Sequence, residues 1–194
     1  GIMRISINKI KFKEGVSVMK NLLDVILFFC LTAGLFPAMY YVNDNSGDDT
    51  YDGSESFPWK TISKGIQASD GGDVIHLTGT FYLNDDLGVT SEGIEISKNI
   101  TIQGKGRNET FIYAHPNSES AETRIFYFSS DVTGAVLKDF SIVNGNADNG
   151  GGIINYGEIF LQNMNISNCY ASSGGGIYIG KDARRTFEID YDSN

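Results

Sequence analysis

Apolar and polar residues alternate in short bursts along most of this chain, and the bursts recur in step. Three ten-residue strips superpose: 95–104, 135–144 and 159–168. Their second position holds Ile96, Val136 or Phe160, their sixth Ile100, Phe140 or Met164, and their eighth Ile102, Ile142 or Ile166. Apolar residues two apart, with Thr101, Ser141 or Asn165 between them, have the period of a strand with one buried face. The polar pairs Lys98-Asn99, Lys138-Asp139 and Gln162-Asn163 interrupt the alternation and predict a turn between two short strands.

The tetrapeptide Gly-Gly-Gly-Ile occurs at 150–153 and again at 174–177. A period of about two dozen residues marks a solenoid, in which each repeat buries its apolar face against the next. Short strands, tight turns and this period together predict an all-β fold, a parallel β-helix. Glycine at the turns supplies positive φ and close backbone approach. Asn144 and Asn168 match across coils, where their amides either stack as a ladder or simply serve as turn residues. The first strip precedes the second by 40 residues rather than 24, and the polar stretch Pro116 to Thr123 accounts for the surplus as a loop thrown out from one coil. Such loops either shape a binding face or are merely solvated.

Ahead of the coils, Thr61 is placed to cap a short helix whose Ile62 and Ile66 share one face, with Trp59 packed beneath it. Gly71-Gly72-Asp73 then turns the chain into a strand from Val74 to Leu77. This helix is expected to cover the open end of the solenoid.

The formal charge is −9 over 194 residues, yet Arg4, Lys9, Lys11, Lys13 and Lys20 gather near the start. They precede an apolar run from Leu22 to Val42, broken by Asp24. Val25 to Leu35 has the length of a signal-peptide core, with Gly34, Pro37 and Ala38 at its end. Met19 offers an alternative start, and an uncleaved signal anchor touching the membrane is the rival reading. The expected organisation is a leader over 1–39, an N-terminal cap region over 40–73 and coils over 74–194. The coils are expected to be incomplete at the C-terminal side, as in a fragment of a longer solenoid. Either leader implies export, to the medium or the cell surface. The acidic remainder argues against nucleic acid and anionic membrane surfaces as partners. With Cys30 in the leader, Cys169 stands alone, so stacking rather than a disulfide must stabilise the fold; Cys169 is expected to be a small buried residue.

The stretch from Tyr40 to Gly53, the segment from Pro58 to Ser69 and the run from Gly71 to Tyr82 resemble the N-terminal part of secreted proteins of the pectin-lyase-like fold, which implies a right-handed parallel β-helix. The two Gly-Gly-Gly-Ile repeats and Phe160-Leu161-Gln162-Asn163 resemble the repeats of polymorphic outer membrane proteins and of adhesin-like surface proteins. The resemblance covers residues 40 to 180. It implies a scaffold that carries lyases, hydrolases, adhesins and plain stalks alike.

Candidate chemistry is sparse. Asp44, Asp48, Asp49 and Asp52 around Gly47 offer hard oxygen ligands suited to Ca²⁺, but without the terminal Glu of an EF-hand; an Asp/Gly-rich surface turn is the plainer reading. Enzymes resembling this fold use acidic Ca²⁺ ligands with an Arg or Lys base, or paired Asp residues, which would point to Lys138, Asp139, Arg107 or Arg124. None of these lies in a recognisable motif, and no catalytic residue is assigned. His76 is expected to face outward between Ile75 and Leu77, and His115 has no sequence partner. Asn99-Ile-Thr101, Asn108-Glu-Thr110 and Asn165-Ile-Ser167 are glycosylation sequons. The aromatics at 126–128 and 81–82 are read mostly as core rungs, with sugar stacking as the role open to any that are exposed. The leading expectation is therefore an exported, non-catalytic, adhesin-like protein that binds polysaccharide or host-surface glycans. The alternative is a polysaccharide lyase or hydrolase whose site lies on coils beyond this segment.

Overall fold

The computed structural model describes residues 36–181 and 183. Most of the expected leader, with its apolar core and Cys30, lies outside the described residues, as do 182 and 184–194.

From Met39 to Ile179 the chain forms a parallel β-solenoid. Strand β1 (Met39–Asn43) leads into helix α1 (Ile62–Ala68), and four coils follow. The first coil comprises β2 (Val74–Thr78), β3 (Thr80–Tyr82) and β4 (Ile94–Ile96), and the second β5 (Thr101–Gln103), β6 (Phe111–Tyr113) and β7 (Phe126–Phe128). The third adds a strand: β8 (Thr133–Lys138), β9 (Ser141–Val143), β10 (Asn146–Asn149) and β11 (Ile153–Asn155). The fourth repeats that plan as β12 (Glu158–Gln162), β13 (Asn165–Ser167), β14 (Tyr170–Ser173) and β15 (Ile177–Ile179). Equivalent strands stack into three faces, ordered β1-β2-β5-β8-β12, β3-β6-β9-β13 and β4-β7-β11-β15, with the pair β10-β14 at the corner between the second and third.

The inward positions form straight columns. Ile75, Ile102, Leu137 and Leu161 pair successively on the first face. Phe81, Ile112, Ile142 and Ile166 do so on the second, and Ile94, Phe126, Ile153 and Ile177 on the third. Each large apolar side chain taken out of water contributes about 1.5–3 kcal/mol, so coil-on-coil stacking supplies the stability that a crosslink would otherwise provide. Cys169 is a free thiol, and it is half-buried rather than enclosed as expected, because it sits on the outer corner beside β14, where its Sγ donates to the Ser167 carbonyl at 3.3 Å.

The repeat is in register where the glycines say it is. Ile153 pairs with Ile177, Val136 with Phe160 and Ile142 with Ile166. The strip 95–104 is out of step with the other two. Its Ile102 stacks on Leu137, not on Ile142. The cause is that residues between β4 and β5 turn from the third face to the first, whereas those between β8 and β9 turn from the first to the second. A side-chain ladder exists, but not at Asn144 and Asn168. Both have positive φ (64° and 52°), and the Asn144 amide donates instead to the His115 carbonyl at 3.1 Å. The ladder runs along the preceding corner, where Gln103 Nε2 and Asn163 Nδ2 both donate to the Asp139 carboxylate, at 3.2 and 2.9 Å.

Helix α1 is capped by Thr61, whose hydroxyl accepts from the Lys64 N–H at 3.3 Å. Its buried residues are Ile62, Gly65 and Ile66, and Gly65 faces Val42 and Ile75. Buried Trp59 lies under the helix side, with the Lys64 ammonium 5.9 Å from its ring and its own indole N–H donating to the Tyr51 carbonyl at 2.7 Å. The helix thus packs against the first strands of the first face, in keeping with the capping role read from sequence.

Candidate functional site

The loop between β6 and β7, which includes the polar stretch Pro116 to Thr123, stacks under β10 and over the turn that precedes β4. Thr123 Oγ1 donates to the Ser91 carbonyl (3.2 Å), the Asn146 N–H to the Thr123 carbonyl (3.0 Å), and the Asn146 amide to the Ala121 carbonyl (2.8 Å). Asn146 then pairs with Tyr170 of β14 one coil further on. Successive coils therefore contribute successive segments of one wall, and that wall borders a groove of about 700 Å³. Glu92, Glu122, Arg124, Asn146, Asp148, Cys169, Tyr170 and Ser172 line it.

Arg124 anchors the groove. It is 7% exposed, and its Nη1 donates to the carboxylate of Glu92, which is itself 56% exposed. Its Nε is buried and has no partner. A buried guanidinium held by a single carboxylate has donors left over, and an unsatisfied buried donor costs about 1–3 kcal/mol. Around it the charge is predominantly negative, since Glu92, Glu122 and Asp148 face one cation. Tyr170, 59% exposed, presents its ring at the β14 side. Burial pushes the Cys169 thiol upward, against a smaller opposing effect from the Gly145 N–H, which keeps the sulfur protonated at neutral pH.

The other residues singled out from sequence lie elsewhere. Asp48 accepts from the N–H and hydroxyl of Thr50 (2.8 and 2.7 Å), Asp49 from the Lys60 and Thr61 N–H groups (2.9 Å each), and Asp52 from the Ser54 N–H (2.9 Å). The bonds from Thr50 and from Ser54 hold the Asp48 and Asp52 carboxyls below the usual range. These carboxylates fasten their own loop, Asp44 receives Lys60 only at its carbonyl (3.2 Å), and among the described residues no three side chains of metal-binding type converge on a cation position. Lys138 lies on the outer side of the first face, Asp139 is engaged in the corner ladder, and the Arg107 carbonyl accepts from Ser141 Oγ in the loop before β6. His76 faces outward as expected, stacked on Tyr41 at 5.1 Å, and burial, followed by the charge of Lys138, lowers its pKa. His115 accepts from the Asn117 N–H at 3.1 Å in a separate loop. Asn99 bridges coils through Thr133, accepting from its N–H at 2.7 Å and donating to its hydroxyl at 2.9 Å. Phe81, Phe126 and Phe128 are core rungs, whereas Tyr82 stacks on Tyr113 at 5.3 Å.

Of the candidates, only Arg124 enters the groove. Glu122 belongs to the looped-out stretch Pro116 to Thr123 noted from sequence, whereas Glu92, Asp148 and Tyr170 were not singled out. For one pair a signal was present: Asn146 and Tyr170 each stand four residues before a Gly-Gly-Gly-Ile, so equivalence of the two repeats places them on one line.

A family model described as "Protein of unknown function (DUF1565)" matches residues 45–185, and the chain belongs to that family. No curated protein matches it significantly. A solved structure named "Rhamnogalacturonan lyase" aligns with 81% of this chain and 52% of its own, at 16% identity and a TM-score of 0.49. This chain therefore spans about half the length of that protein.

Proposed function

We propose that this member of the DUF1565 family is an exported β-solenoid that binds glycans without cleaving them, in the manner of an adhesin, through the groove along β10 and β14. The observation that carries the reading is the groove itself, in which four coils place carboxylates, an amide, a guanidinium and an exposed Tyr170 ring along one line. Sugars are bound by such mixtures, because hydroxyl groups both donate and accept while the apolar face of a pyranose packs on an aromatic ring. The linear arrangement suits a polymer better than a single small molecule. Binding of the full chain to a glycan array, lost on Tyr170→Ala with the fold retained by circular dichroism, would support it. Retention of full binding by that variant would move the site elsewhere, and silence across neutral and acidic glycans would defeat the reading.

A polysaccharide lyase or hydrolase is the second reading, and the observation favouring it is that Arg124, a cation of the type such enzymes use, stands in the groove beside Glu92. Incubation of the full chain with bound polymer discriminates the two. Unsaturated product or new reducing ends would establish cleavage.

A further inference from the structure

We infer that the groove takes neutral sugar units in preference to uronates, and that Glu92 sets this choice by occupying the guanidinium of Arg124; the inference rests on the glycan-binding reading above. A sugar carboxylate docks best on an arginine fork, where two parallel N–H bonds meet its two oxygens. Arg124 is the one buried cation among the described residues, and it lines the groove. Its Nη1 is already committed to Glu92. An arriving uronate therefore displaces a carboxylate that the protein supplies. It also meets Glu122 and Asp148, both exposed, the first on Arg124's own coil and the second on the next. Like charges brought together in a recognition site act mainly against the wrong partner.

A neutral sugar meets none of this opposition. Its hydroxyls donate to Glu122 and Asp148, and its oxygens accept from the small part of the Arg124 guanidinium that remains exposed beside Glu92. Its apolar ring face has the exposed Tyr170 to rest on. Three carboxylates and one engaged guanidinium thus describe a site for uncharged, hydroxyl-rich units.

The test is equilibrium binding of the full chain to a neutral galactan, a neutral glucan and polygalacturonate, at low and moderate salt. The expected result is at least about tenfold tighter binding of one neutral polymer than of polygalacturonate, a gap of about 1.4 kcal/mol that narrows as salt screens the carboxylates. In Glu92→Gln, whose substituted side chain is exposed and removes one negative charge, the ratio of polygalacturonate affinity to neutral-polymer affinity is expected to rise about tenfold. Glu122→Gln and Asp148→Asn serve as further variants and should each narrow the gap by a smaller factor. Preference of the unmodified chain for polygalacturonate, or an unchanged ratio in Glu92→Gln, overturns the inference and leaves the glycan reading standing. Absence of binding to all three polymers overturns both.

Discussion

Asn163 donates to the carboxylate of Asp139 across one coil at 2.9 Å, and both residues hold left-handed backbone at φ 46° and 63°. The corner between the first and second faces takes that conformation in the third and fourth coils, whereas Gly104, in register with Asp139 one coil below, does not. Asn and Asp tolerate it better than other side chains because their short polar groups bond locally. Asp139 also receives Gln103 at 3.2 Å from the coil below, so one carboxylate ties three coils. Asp139→Ala is expected to cost about 2 kcal/mol, from strained φ and two lost hydrogen bonds. Asp139→Asn, which keeps the conformation and an acceptor, should cost less than half as much. Urea unfolding midpoints measure both; equal losses would show that neither the backbone preference nor the acceptor that Asn retains matters, and would refute this account.

Within the repeat, Gly150 and Gly174 hold left-handed backbone at φ 61° and 63°, whereas Gly151 and Gly152 are required by close approach. A Cβ on Gly152 would lie 2.5 Å from the Gly176 carbonyl oxygen, and one on Gly151 would lie 2.3 Å from that of Tyr170. The obstructing atoms are backbone of the next coil, which cannot rotate away as a side chain would. Gly152→Ala is therefore expected to destabilise by more than about 3 kcal/mol, at the severe end for a single substitution, and to separate β14 and β15 from the coil beneath. By contrast, Gly71→Ala meets nothing within 4 Å and should fall within about 0.5 kcal/mol of the unmodified protein. Thermal unfolding of the pair gives the comparison, and similar melting temperatures would refute the close-approach account.

Lys98 reaches back to the end of α1, where its ammonium donates to the carbonyls of Ile66 (2.9 Å) and Ser69. The last carbonyls of a helix lack partners, and a cation there also opposes the helix dipole. A position that reads from sequence as an ordinary turn lysine therefore fastens the cap helix to the coils. Lys98→Ala should cost about 1–2 kcal/mol, and Lys98→Met, which keeps the aliphatic stem, should cost nearly as much because the charged head makes the bonds. Faster amide exchange at Ile66 and Ser69 in both variants would confirm it, and unchanged protection would sink it.

What the chain revealed of itself follows from distance along the sequence. Strand alternation, the Thr61 cap and the two Gly-Gly-Gly-Ile turns are local signals, and each appears where the pattern placed it. The superposition of 95–104 on the later strips failed because every strand of a three-faced coil carries the same period of two. Ile96, Ile100 and Ile102 fit that pattern equally well one face out of step, and only a marked corner such as Asp139 or Asn163 fixes the frame. The groove was harder still to see, since Glu92, Arg124, Asp148 and Tyr170 come from different coils. Coils of unequal length separate Glu92 from its ion-pair partner Arg124, so no constant spacing announces the contact.

His76 stands on the outer side of the first face, with Tyr41 stacked on it at 5.1 Å and with Lys138 and Glu55 as the charges that act on it. Burial and then Lys138 lower its pKa, while Glu55 opposes them more weakly. The folded protein thus takes up the His76 proton less readily than the unfolded chain does. Above about pH 8 the imidazole is neutral in both states and contributes no pH dependence. As the pH falls through about 6.5, the unfolded chain binds the proton first, so stability declines until the folded-state pKa is passed. The depressed carboxyls of Asp48 and Asp52 act in a separate window, losing their contribution only as the pH falls below the ordinary carboxylate range. Denaturation midpoints between pH 7.5 and 5 should therefore fall more steeply for the unmodified protein than for His76→Gln, with Lys138→Gln intermediate. Parallel pH profiles for all three would show that His76 does not sense its neighbours.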